Sequence, residues 1–345
     1  MVYPFSSETV LLMKQGFWKN LPIPAVLLAP MANVTDVAFR SLFAKYGPPD
    51  VYWTEFVSVE GLLSEGREMI LPDLWFEKNQ RPIVAQIFGN KPAQFEQVAF
   101  QLAAMGFDGI DINMGCPDKN VLKQGSGAAL CQTPELAKEI IAATKRGAPK
   151  LPVSVKARIG WNENEVERWV SDLLEAEPSA ITMHARTKKE MSKVPARWDV
   201  LKQMVSFVAK EIPDKEKRPL LFGNGDVFSL EEADRRVRET GVDGVMIGRG
   251  IFGNPFFFNR EKNITDLSIA ERLAVLIEHT NLFEKYFGAG TAPNGGRLKN
   301  FAVMKKHYKA YVNDFEGAKE LRVALMAAES LAEISKILQS HRYEL

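Results

Sequence analysis

The stretch VSVKARIG, residues 153–160, decides between two architectures. Successive side chains of a strand point to opposite faces, so Val153, Val155 and Ala157 share one face while Ser154, Lys156 and Arg158 share the other. ITMHART, residues 181–187, divides the same way, with Ile181, Met183 and Ala185 against Thr182, His184 and Arg186. GIDINMG, residues 109–115, sets Ile110, Ile112 and Met114 against Asp111 and Asn113, and IVAQIFG, residues 83–89, sets Gln86 opposite Ile83, Ala85 and Ile87. An open parallel sheet covered by helices on both sides is apolar on both faces, so the doubly wound fold fits these strands poorly. A closed barrel with polar side chains at the C-terminal strand ends fits them better. Burying Lys, His, Arg, Gln and Asn there is costly without partners, so a polar ligand is expected among them.

Working outward, β-branched apolar runs recur at Val26–Met31, Val51–Val57, Pro82–Gly89, Gly109–Gly115, Val153–Arg158, Ala180–Arg186, Leu220–Gly225 and Gly244–Gly248. Helical patterns lie between them, among them PAQFEQVAFQLAAMG and TPELAKEIIAATKRG, the second opening with a Thr cap and a Pro at the first helical position. Strand and helix alternate, which predicts parallel strands and crossover helices, and eight such units predict a (β/α)8 TIM barrel. After Phe258 the pattern is purely helical, so residues 1–261 are expected to form the barrel and residues 262–345 a C-terminal all-helical domain.

Of 345 residues, 46% are hydrophobic and 25% charged, which excludes a disordered or collagen-like chain. The net charge of +1 excludes a strongly basic nucleic-acid-coating protein. It averages over an uneven distribution: from Arg297 to Arg322 seven cationic side chains stand against three anionic ones, a net +4. With Tyr308 and Tyr311 nearby, this stretch is a candidate phosphate-facing surface, a solvated helix face being the alternative. Two cysteines in this length suit a reducing compartment without disulfides. The opening residues MVYPFSSETVLLMKQGFWKNLPIP have too short an apolar run for a secretory core, and no later run reaches the ~18 residues of a membrane span. A cytoplasmic protein without a membrane partner is expected.

Chemistry concentrates at predicted strand ends. GNGD, residues 223–226, and GRG, residues 248–250, fall after strands seven and eight, where glycines let backbone N–H groups approach an anion; Asn224, Gly225, Asp226, Gly248 and Arg249 are the candidates. Lys156 and His184 are inward on neighbouring strands, a structural ion pair of Lys156 with Asp111 being the bland alternative. Cys116 follows strand four in a Gly-Cys-Pro turn that would hold its sulfur at the mouth, able to exchange a proton, whereas Cys131 reads as packing. The four His and two Cys show no zinc spacing, and no metal is expected.

The runs APMANVTDVAFR, VAQIFGN, GIDINMGCPDKNVLKQGSGAAL, VSVKARIGW, ITMHART, LFGNGD and GVMIGRG, with RLKNFAVMKKHYKAYV and GAKELRVAL in the tail, resemble the tRNA-dihydrouridine synthases over nearly the whole chain. The resemblance implies an FMN-bearing barrel, a helical tRNA-binding domain, and NADPH or NADH as reductant. It implies reduction of the C5=C6 bond of specific uridines, hydride passing from flavin N5 to C6 and a proton from Cys116 to C5. By matching motif, Pro30, Met31 and Ala32 line the isoalloxazine; Gln86, Lys156 and His184 contact its polar edge; and Asn224, Gly225, Asp226, Gly248 and Arg249 hold the ribityl phosphate. Asn113, Arg158 and Arg186 match positions that receive the uracil. The segment KKEMSKVPARWD after HART departs from the family pattern, which bears on site specificity. A monomer is expected. Two other readings stay open: a flavin oxidoreductase acting on a free pyrimidine, similar to dihydroorotate dehydrogenase, and a non-catalytic tRNA-binding protein.

Overall fold

Eight strands, β1 Ala25–Leu28, β2 Tyr52–Ser58, β3 Ile83–Phe88, β4 Gly109–Met114, β5 Val153–Arg158, β6 Ala180–His184, β7 Leu220–Asn224 and β8 Gly244–Ile247, run parallel in the order β1-β8-β7-β6-β5-β4-β3-β2. This computed structural model describes residues 16–341; most of the leader reading falls on residues 1–15, outside the described residues. The remaining seam, between β1 and β2, is closed by a parallel bridge of Leu27 with Val51, where the Leu28 N–H donates to the Val51 carbonyl at 3.1 Å. The fold is therefore a closed (β/α)8 barrel. Crossover helices such as Pro92–Ala104, Pro134–Gly147, Val166–Glu175 and Trp198–Glu211 cover its outside. Thr133 stands at the cap position of the Pro134–Gly147 helix, but its side chain makes no capping hydrogen bond.

The alternation along the strands sorts the two faces. Ile110, Ile112, Val153, Val155, Ile181 and Met183 are fully buried or nearly so against the surrounding helices. The inward side chains Leu27, Trp53, Val84, Ala180, Phe222 and Met246 fill the lower barrel, plugged by Trp18, whose ring centroid lies 5.9 Å from that of Trp53 and 5.5 Å from that of Phe222. Truncating Trp53 to Ala would cost about 3–5 kcal/mol. This apolar plug leaves only the upper, C-terminal end of the barrel for polar chemistry.

One strand breaks the alternation. In the β2–β3 register Trp53 pairs with Val84, but Gln86, two residues on, pairs with Phe56 rather than with Glu55, so β2 carries an extra residue between them. Such a bulge reverses the parity beyond it. Phe56 consequently turns to the same face as Gln86.

The C-terminal segment contains the helices Ile269–Phe287, Lys305–Tyr311, Ala318–Ala327 and Leu331–Ser340. The first packs on Val37–Tyr46 of the barrel: the His279 ring stacks on Phe39 at 4.7 Å, and Lys45 pairs with Glu278 at 2.7 Å. The basic stretch is less free than its composition suggests. Tyr308 and Tyr311 are core residues, 0% and 1% exposed, so they do not face a phosphate surface. Tyr308 shares a hydrogen bond with Thr280 at 3.1 Å. Arg297 is paired with Glu284, and Lys299 with Glu55 and Asp73. No helix among the described residues is long and apolar enough to cross a membrane.

Candidate active site

The C-terminal strand ends surround one cleft of about 270 Å³. Pro30 and Met31 after β1, Gln86 of β3, Asn113 of β4 and Cys116 just beyond it line one side. Lys156 and Arg158 of β5, His184 of β6, Asn224 and Asp226 at the end of β7, and Gly248 and Arg249 after β8 complete it. Ala32 is exposed outside the lining, and Gly225 and Arg186 are buried behind it. Phe56, Ser192 and Phe228 also line the cleft, though no sequence motif marks them.

A directional hydrogen-bond chain holds the cysteine turn. Asp111, buried in the barrel, accepts from Ser154 Oγ at 2.6 Å and from Gln86 Nε2 at 2.6 Å. Because the carboxylate accepts the Gln86 amide nitrogen, the Gln86 oxygen faces Asn113 and accepts its Nδ2 at 2.9 Å. The oxygen of Asn113 is thereby left to accept the N–H groups of Gly115 at 3.1 Å and Cys116 at 2.9 Å. Each amide is oriented by the one before it. Burial lifts the Asp111 carboxyl to about 6, against the hydrogen bonds from Gln86 and Ser154 that favour its ionised form. Burial likewise pushes the Cys116 thiol up, keeping it protonated. Cys131 is 3% exposed in the turn Gly127–Gln132, away from the cleft lining.

Lys156 does not pair with Asp111 among the described residues. Its Nζ donates to Asn224 Oδ1 at 3.0 Å, and Asn224 is oriented for this by giving its Nδ2 to the Met246 carbonyl at 2.8 Å. A cation resting on a neutral amide is an incompletely compensated charge. Burial, and next Arg158, lower the Lys156 ammonium to about 8.

His184 is neutral. Burial, followed by Lys156 and the arginines around it, holds its imidazole well below its ordinary value. Arg186 Nη1 lies 3.1 Å from His184 Nε2, and since a guanidinium only donates, Nε2 is the acceptor and Nδ1 carries the proton. Each of the three Arg186 nitrogens has a protein partner: Nε donates to the Val194 carbonyl at 2.6 Å and Nη2 pairs with Asp226. The other oxygen of Asp226 accepts from Arg249 at 2.6 Å. Burial opposes ionisation of Asp226, but the hydrogen bonds from Arg186 and Ala196 outweigh it and hold the carboxyl below its ordinary value. Arg158 donates to the carbonyls of Gly115 at 2.7 Å, Thr187 at 3.1 Å and Met191 at 2.9 Å, so it ties the cysteine turn to the loop after β6.

Two glycines shape the far wall. Gly225 has φ +127°, and a Cβ there would lie 2.9 Å from that of Ala196 and 3.1 Å from the His184 ring. A Cβ on Gly248 would meet only Met31 Sδ at 3.8 Å and Ala29 Cβ at 3.9 Å, so the space beside it belongs to the cleft. Among the described residues no cluster of His, Cys, Asp and Glu could hold a metal ion.

Comparison with known proteins places the chain in a family. The family model described as dihydrouridine synthase matches residues 27–343. A "Probable tRNA-dihydrouridine synthase" of Staphylococcus aureus (strain MRSA252) is 40% identical over 335 residues, covering 96% of this chain and 98% of that protein. A "Probable tRNA-dihydrouridine synthase 2" of Bacillus subtilis (strain 168) is 38% identical over 328 residues, 94% of this chain and 96% of that one. Among solved structures, histamine dehydrogenase from Rhizobium sp. 4-9 shares the barrel at a TM-score of 0.51 and 12% identity, over 75% of this chain and 49% of its own. Making dihydrouridine from uridine adds two hydrogens across a double bond, so the family's reaction is an oxidoreduction. With the match running from β1 through the C-terminal helices, the chain belongs to the dihydrouridine synthase family and is an oxidoreductase.

Proposed function

We infer that this chain is a cytoplasmic, monomeric tRNA-dihydrouridine synthase, with an FMN-binding barrel in residues 1–261 and a tRNA-binding segment in residues 262–345. The observation that carries the reading is the juxtaposition in one cleft of a protonated thiol, Cys116, and an incompletely paired cation, Lys156. The donor set fits FMN. Lys156 and the Nδ1–H of His184 suit the electron-rich edge of a reduced isoalloxazine. The space beside Gly248, with Arg249, suits the phosphate. Asp226, a carboxylate, would repel that phosphate; its role is to aim Arg249 and hold Arg186. Bound in this cleft, FMN would supply hydride chemistry at uracil C6, with NADPH or NADH as the source of the electrons.

The chain's own residues do the rest. Cys116 holds a proton for C5 of the uracil, and a thiol with a raised pKa stays loaded at neutral pH until a basic carbon develops beside it. Asn113 keeps its backbone in place, and Arg158 braces the same turn from the other side. Arg186 acts behind the wall, through His184 and Asp226, without touching the uracil. A base in folded tRNA reaches this cleft only when extruded, at a cost of roughly a few kcal/mol. Phosphate contacts by the exposed lysines of the C-terminal segment offset that cost. The test is incubation of the FMN-loaded protein with NADPH and unmodified tRNA: a two-dalton mass gain at specific uridines supports the reading, and no gain on any uridine refutes it.

A further inference from the structure

Two lysines of the C-terminal segment reach across to the turn that follows β1. The turn is a tight unit: Met31 N–H donates to Thr35 Oγ1 at 2.9 Å, and its carbonyl accepts the N–H groups of Val34 and Thr35, each at 3.1 Å. Its exposed corner is Asn33, a non-glycine residue with φ 55°. Both polar groups of the Asn33 backbone are held from outside the turn. Its N–H donates to Glu55 Oε1, and its carbonyl accepts Lys306 Nζ at 2.7 Å. Glu55 is in turn gripped through its second oxygen by Lys299, whose Nζ also reaches Asp73 at 2.7 Å. Glu55 and Lys299 are 2% and 9% exposed, so this grip is shielded from solvent. Glu55 lies in the β2 bulge immediately before Phe56, another cleft residue.

We propose that Lys306 and Lys299 are positioning residues for the cleft wall formed by Pro30, Met31 and Phe56, so that the C-terminal segment sets the geometry in which the barrel receives its ring ligand. The inference rests on the flavin reading of the cleft. Lys306 acts directly on Asn33; Lys299 acts on the same residue through Glu55. Neither lysine lines the cleft, and neither touches the reacting groups. A left-handed corner has no helix or strand bonds to fix it, so removing an external tether loosens the turn as a unit.

Lys306 carries the test, because Lys299→Met would strand the buried carboxylate of Glu55 and threaten the fold. The full chain is compared with Lys306→Met and Lys306→Arg by amide hydrogen exchange across residues 29–36, by FMN titration and by the visible circular dichroism of bound FMN. Lys306→Met is expected to exchange faster at Val34 and Thr35, to bind FMN about two- to tenfold more weakly, as one lost hydrogen bond allows, and to alter the flavin dichroism. Lys306→Arg, which still donates to the Asn33 carbonyl, is expected to restore all three. Unchanged exchange in residues 29–36 with unchanged FMN binding overturns the proposal. Failure of the unsubstituted chain to bind FMN refutes the flavin reading instead, while the exchange rates still decide whether Lys306 holds the turn.

Discussion

The side-chain oxygen of Asn113 accepts the backbone N–H of Cys116 at 2.9 Å, and that oxygen faces the turn because Asp111, two residues earlier, sets the orientation of the amides between them. A buried carboxylate deep in the barrel thus determines where the thiol at its mouth stands. Side chains that look like substrate ligands from their inward position are partly the scaffold for another residue.

Asp111→Ala leaves the Gln86 Nε2 donor buried and unpaired, at a cost of about 1–3 kcal/mol in stability. It also frees the amides to flip, and kcat for uridine reduction is expected to fall about tenfold, equivalent to ~1.4 kcal/mol of lost positioning. Asp111→Asn keeps both properties, because Ser154 can accept as well as donate and the new amide oxygen still takes the Gln86 N–H. Denaturant midpoints and kcat for the two variants check this contrast.

Lys156 gives a pH signature with a definite sign. Its ammonium titrates near 8 in the folded protein against an ordinary 10.5, through burial first and Arg158 second. Between those values the unfolded chain holds a proton that the folded chain lacks, so stability rises as pH climbs through that window and falls as pH drops through it. Lys156→Met should remove this slope, read as urea midpoints of the FMN-free protein at pH 7 and pH 10. FMN affinity should fall as pH rises past about 8 in the unsubstituted protein. In Lys156→Met it should be flat and about tenfold or more weaker, as expected for losing a hydrogen bond from a charged donor.

Lys309 and Lys319 are exposed, unlike the paired Arg297 and Lys299. Replacing each with Ala should weaken tRNA binding and reduce the slope of log affinity against log salt by about 1. Tyr308→Phe should leave tRNA affinity unchanged and cost about 1 kcal/mol of stability, since its hydroxyl serves Thr280 in the core. Filter binding across a salt series and thermal melts measure both.

The barrel and most of its mouth were legible in the sequence, because strict alternation along β3, β4, β5 and β6 places Gln86, Asn113, Lys156 and His184 on one face without further information. Phe56 was hidden because a single inserted residue in β2 reverses the parity that would have turned it outward. The burial of Tyr308 and Tyr311 and the pairing of Lys299 with Glu55 depend on how the C-terminal segment docks, a contact between residues 244 apart that no local pattern encodes. Asp226 and Arg186 read as ligand contacts by motif; only the geometry reveals that they satisfy each other.

The most direct measurement is a single turnover in which reduced, FMN-loaded protein and its Cys116→Ala variant are each mixed with unmodified tRNA and dihydrouridine is followed by mass. The account predicts that both forms bind FMN and are reduced by NADPH, and that the variant forms dihydrouridine about a hundred- to ten-thousand-fold more slowly, the usual contribution of a general acid. Dihydrouridine formed by Cys116→Ala at the rate of the unsubstituted protein would contradict it.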